Sequence, residues 1–142
     1  MYKVDDRYII EDAKRYVIEF AIREADSIPG LDFFNKDLDD PQRTKFKACC
    51  LALSEHGLAL VHRCGFFKHE RDEIFAYTRT TKKAYKEGIG LIRFPCFRKV
   101  DRWIFTHGFW KPRKHKKWPE SEFERAFEIR NEVIEREKKA LR

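Results

Sequence analysis

Gly90-Leu-Ile-Arg-Phe-Pro-Cys-Phe-Arg-Lys-Val-Asp-Arg-Trp-Ile-Phe-Thr-His-Gly-Phe109 holds two runs of β-branched and aromatic residues split by a short polar break. The composition predicts strands over Gly90–Phe97 and Arg102–Phe109, with turn material at Lys99–Asp101. So tight a connection implies an antiparallel pair. Pro95 cannot donate to a ladder, which places its strand at an edge or bulges it there. A third strand is expected at Ile74–Thr80, with a turn at Thr81–Gly88 between it and the pair.

Working outward, Tyr16–Ile22 reads as a first strand, and Pro29-Gly30 breaks the chain before a short helix at Leu31–Leu38. Asp40-Pro41 is a capping acid followed by a proline suited to the first helical position. Phe46, Cys49, Cys50 and Leu53 follow at helical spacing, and Gly57 is a natural stop. Residues 64–72 read as loop. A last helix is expected from Pro119 to about Lys139, with Phe123, Ala126, Phe127 and Ile134 as its apolar stripe. Residues 1–15 read as a leader or short extra helix, and 16–142 as a single domain. The order of strand, two helices, three strands and helix is that of an α+β domain, with helices packed on one face of a small, mostly antiparallel sheet.

A chain of 142 residues, 42% apolar with thirteen Phe, has room for a real core, and the mean hydropathy of −0.70 reflects its many charges. No run approaches the roughly 18 apolar residues of a membrane span. The first residues carry acids where an export signal would be apolar, so no signal is expected. Cys49, Cys50, Cys64 and Cys96 lack the Cys-x-x-Cys pairs of a structural zinc site and read as reduced core fillers, from which a cytoplasmic location follows. No metal and no cofactor are expected.

Charge is the strongest functional signal. From Arg79 to Trp118 the chain carries thirteen Lys or Arg residues against two acids, Glu87 and Asp101, although its net charge is only +7. Tyr85, Phe94, Phe97, Trp103, Phe105, Phe109, Trp110 and Trp118 lie in the same stretch. Cations interleaved with aromatics suit a phosphate backbone and exposed bases. Strand alternation sets Ile92, Phe94 and Cys96 on one face and Arg93 on the other. With helices on the Ile92 side, Arg93 is expected on an open face, where a suitable register would bring Arg79 near it. Beyond His107-Gly108-Phe109, a turn presents Lys111, Arg113, Lys114, His115, Lys116 and Lys117, and is expected to rise beside that face.

The stretch from Ile92-Arg93-Phe94 through Trp103-Ile-Phe-Thr-His-Gly-Phe-Trp-Lys111 to Trp118-Pro-Glu-Ser-Glu-Phe-Glu-Arg-Ala126 resembles the RelE/HigB toxin superfamily, in particular its phage-derived, gp-forty-nine-like branch. Leu38-Asp-Asp-Pro-Gln-Arg43, before a helix ending Leu53-Ser-Glu-His-Gly57, is similar to that family's N-terminal helical hairpin. The likeness covers roughly residues 16–135. It implies a RelE-like fold and a type II toxin, an mRNA interferase that cuts message on the ribosome and inhibits translation. Such a toxin is restrained by a cognate antitoxin, here expected to be a small helix-turn-helix protein.

RNA carries its own nucleophile, the 2′-hydroxyl, so metal-free cleavage needs only alignment, charge stabilisation and proton transfer. On this reading Arg79 and Arg93 bind the scissile phosphate, while His107 and Lys111 move protons or stabilise charge. Lys82, Lys83, Arg98, Arg113, Lys114, His115, Lys116 and Lys117 hold flanking RNA. The alternatives are a non-catalytic nucleic-acid-binding module, a gyrase-directed toxin of the same superfamily, and a structural domain whose basic face meets an acidic partner.

Overall fold

A computed structural model describes residues 1–80, 91–112 and 116–141. Three strands come first: β1 (Tyr2–Val4), β2 (Arg7–Glu11) and β3 (Val17–Phe20). Two helices follow, α1 (Pro29–Lys36) and α2 (Asp40–His56), then a 3-10 turn at Gly57–His62. Next come β4 (Phe67–Arg71), β5 (Ile74–Arg79), β6 (Leu91–Lys99), β7 (Arg102–Phe105), β8 (Phe109–Lys111) and α3 (Glu120–Ala140). Asp39 caps α2: its side chain accepts from the Gln42 amide at 2.9 Å, while the Gln42 side chain accepts from the Asp39 amide. Gly57 ends α2 at φ +57°, where an added Cβ would lie 2.5 Å from the Tyr16 ring.

Among the described residues the sheet has eight strands in the order β1-β2-β3-β7-β6-β5-β4, with β8 beside the first half of β6. β3 pairs parallel with β7, and the remaining pairs are antiparallel. This corrects the expected small sheet with an N-terminal helical hairpin. Three strands precede the helices, and the sheet is large and mixed. Residues from 1–15, expected as a leader or short extra helix, form the β1–β2 hairpin rather than a helix and extend the sheet beyond β3.

Helices also cover both faces rather than one. α1 and α2 pack over Ile18, Phe20, Ile92, Phe94, Trp103 and Phe105. Phe46 of α2, fully buried, stacks on Phe94 with ring centres 4.3 Å apart. α3 lies on the opposite face, where Phe123, Ala126, Ile129 and Val133 pack against Ala21, Ile74, Ala76, Phe97 and Ile104. Cys49, Cys50 and Cys96 fill the α2 side of the core, and burial pushes the Cys49 thiol up to about 12.

Pro95 sits where β6 has left β7 and not yet reached β8. Its carbonyl accepts from the Thr106 amide at 2.9 Å, so its missing N–H falls beside the Thr106–Gly108 break in the ladder. Gly108 lets that break pass close to α1, since a Cβ there would lie 2.3 Å from the Phe33 ring.

Val100 opens the two-residue β6–β7 turn at φ +58° and is 80% exposed. A β-branched residue is strained there, and hairpins with this backbone favour glycine at that position. Val100→Gly should raise stability by about 1 kcal/mol, read by thermal unfolding. A lower melting temperature would mean that the isopropyl group makes contacts its exposure does not show.

Candidate functional site

β4 is built from charge, Phe67-Lys-His-Glu-Arg71, and its register against β5 slips between His69 and Arg71. The bulge places Glu70 and Arg71 on the same face of the sheet, the one α3 covers. Arg71 there pairs with Glu120 at 2.6 Å and lies 3.8 Å over the Phe123 ring, clamping β4 to the start of α3. Between this clamp and β8 the sheet is left uncovered by the helix. The resulting cleft of about 400 Å³ is lined by Lys68, Glu70, Thr78, Arg93, Lys111 and Lys116, with Lys117 and the apolar Trp118 and Phe123 at the helix end.

The ladder fixes the spacing of its floor. Arg93 pairs with Thr78 on one side and with Phe109 on the other. Lys111, two residues beyond Phe109, is therefore the diagonal neighbour of Arg93 on the same face, about 7–8 Å away. Arg93 is half-buried and its Nη1 donates to the Ile92 carbonyl at 2.7 Å. Lys111 is 5% exposed.

Glu70 is the acid among these cations. Burial raises its pKa, opposed by the positive charges of Arg93, Lys68, His69 and Lys111. Burial likewise lowers the pKa of Lys111, helped by Arg93 and opposed by Glu70. Each shift moves its group toward neutral pH, as proton-transfer groups require. Glu70 was missed in sequence because residues 64–72 read as loop. Its strand is built from polar and charged residues after Phe67 and lacks the alternating apolar residues that announce a strand.

The other expected residues separate. Lys116 and Lys117 line the cleft with Arg93 and Lys111. Arg79 does not share their face: it pairs with Ile92, on the α2 side, and lies 4.0 Å over the Phe66 ring. His107 is fully buried under α3. Its Nδ1 is 2.9 Å from Thr106 Oγ1, its Nε2 faces Glu122 at 3.8 Å, and its ring stacks on Phe109. Burial lowers its pKa, so it is a neutral packing residue away from the cleft. Arg98 lies five residues along β6 from Arg93, about 17 Å away. It is exposed, donates to the Val100 carbonyl at 2.8 Å and approaches the Tyr16 ring.

Lys82, Lys83, Arg113, Lys114 and His115 lie outside the described residues. The expected aromatic surface is also absent from the described part of the basic stretch. Phe94, Phe97, Trp103, Phe105, Phe109 and Trp118 are buried and Trp110 is half-buried, while Tyr85 lies outside the described residues. These rings build the core, because the strands that carry them are sandwiched between helices.

Among the described residues, no group of three or more His, Cys, Asp or Glu side chains could hold a metal ion, and no helix is long and apolar enough to cross a membrane. Comparisons with protein-family models, curated proteins and solved structures gave no match.

Proposed function

We infer that the cleft binds RNA and cleaves it, and that the protein acts in the cytoplasm as a toxin on messenger RNA, most effectively on the ribosome. What carries this reading is one carboxylate, Glu70, set among Arg93, Lys111 and Lys68 in a cleft on one sheet face. A cleft that only bound polyanions would gain nothing from an acid at its centre, since the acid repels phosphate.

In the proposed reaction Glu70 takes the proton of a 2′-hydroxyl, and that oxygen attacks the adjacent phosphorus. The bond from phosphorus to the 5′-oxygen breaks, leaving a 2′,3′-cyclic phosphate. Lys111 gives its proton to the departing 5′-oxygen. Arg93 holds the non-bridging oxygens, whose charge builds in the transition state. These steps use the substrate's own nucleophile and no cofactor. The restraining partner proposed for it is an antitoxin, which would have to cover the cleft or keep RNA from entering it.

Glu70→Gln keeps the shape and removes the base. Cleavage should fall about 10²- to 10⁴-fold, with RNA binding retained or tightened because a negative charge leaves the cleft. In the wild type, the rate should decline as pH falls through the pKa of Glu70, which burial raises from its ordinary value. Cleavage by Glu70→Gln at the wild-type rate would remove Glu70 from the mechanism.

A further inference from the structure

Phe66 stands in the bend leading into β4 and is 43% exposed. Among the described residues the only other exposed aromatic is Tyr2, which donates to Asp12 near the far edge of the sheet. Phe66 is held in place, because its carbonyl accepts from the Thr78 amide at 2.7 Å. The Arg79 guanidinium carbon sits 4.0 Å from its ring centre. Ring and guanidinium together make a flat, cationic, solvent-facing surface.

That surface is continuous with the proposed site. A second cleft of about 380 Å³ runs past Gly65, Phe66, Lys68, Thr78, Arg79 and Arg93, and Lys68, Thr78 and Arg93 also line the first. Behind the pair, Phe66 and Arg79 wall an apolar hollow of about 310 Å³ completed by Cys49, Leu60 and Cys64, with Lys45 also lining it. Along the ladder, Arg79 lies one rung from Thr78, the direct partner of Arg93, a step of about 3.4 Å.

Resting on the RNA reading of the cleft, we propose that Phe66 and Arg79 form a nucleobase platform, on which the base beside the phosphate held by Arg93 stacks. Aromatic rings and Arg planes are the surfaces on which unpaired bases settle, and stacking there tolerates any base. The hollow suits such tolerance, since its walls are mostly apolar and its thiol Cys49 is held neutral by burial. The platform also gives Arg79 a role on the face opposite Arg93. It orients a base, while Arg93 binds phosphate.

The test measures binding of a short oligouridylate, and of a ribose-phosphate strand of equal length without bases, by the wild type, Phe66→Ala, Phe66→Trp and Arg93→Ala. Phe66→Ala should bind oligouridylate about tenfold more weakly, with an unchanged salt slope and unchanged affinity for the base-free strand. Phe66→Trp should retain wild-type affinity, and Arg93→Ala should weaken both ligands. Equal affinity of Phe66→Ala and wild type for oligouridylate would overturn the platform while leaving the cleft reading intact. So would equal wild-type affinity for the two strands, a comparison that needs no variant to fold. Absence of binding to either strand by the wild type, or no effect of Arg93→Ala, would overturn both readings.

Discussion

Arg93→Ala is expected to lower RNA cleavage about 100- to 1000-fold while leaving the melting temperature nearly unchanged. Removing one preorganised charge from a transition state costs about 3–4 kcal/mol. The folded state loses far less. Arg93 is half-buried on the cleft floor, and its guanidinium donates to the carbonyl of the preceding residue, Ile92. One such hydrogen bond is worth about 1 kcal/mol. Cleavage and thermal unfolding measured on the same preparation separate the two effects. If Arg93→Ala unfolds, Arg93 is a structural residue. If it stays folded and cuts at the wild-type rate, the scissile phosphate is held elsewhere.

Glu19→Ala should act in the opposite way, costing about 3–5 kcal/mol of stability without touching the cleft. Glu19 is 2% exposed on β3. Arg102 grips it with two hydrogen bonds of 2.7 and 2.9 Å, and Arg7 adds bonds of 2.5 and 3.1 Å. Arg102 also holds Glu137 of α3 at 2.7 and 2.9 Å, and Lys99 donates to the same carboxylate. The network therefore ties β2, β3, β6 and β7 to the last helix. Truncating Glu19 leaves Arg7 and Arg102 facing each other half-buried, and a fall of about 10–17 °C in melting temperature is expected. An unchanged melting temperature would mean that solvent replaces the carboxylate at no cost.

The same network sets the acid limit. Burial alone would raise the pKa of Glu137, but its bonds to Arg102 and Lys99 outweigh that and bring it down to about 2. A folded pKa below the unfolded one stabilises above the unfolded value and loses that contribution as pH falls toward 2.

The local elements were legible where local chemistry dictates them. Gly57 and the Asp-Pro start bracket α2, although the cap proved to be Asp39 rather than Asp40. The β6–β7 turn followed from its polar break. The architecture was not legible, because β3 and β7 pair in parallel across some eighty residues and no local pattern reports such a contact. The β1–β2 hairpin escaped because its turn, Asp5-Asp6, reads as solvated charge. For the site, alternation placed Arg93 opposite Ile92 correctly. The register expected to bring Arg79 near Arg93 instead pairs Arg79 with Ile92, on the opposite face. His107 was expected to move protons on the strength of the family resemblance, yet α3 folds over it. Glu70 was hidden because its strand, Phe67-Lys-His-Glu-Arg71, carries no apolar alternation and reads as loop.

The most direct test incubates the wild-type protein with translating ribosomes on a message, and in parallel with a message carrying a 2′-deoxynucleotide at the cut position. The first message should be cut to ends bearing 2′,3′-cyclic phosphate, and the second should stay intact at that position. Cutting of the deoxy-substituted position at the same rate, or an uncut message with the protein bound to it, would contradict the proposed cleavage.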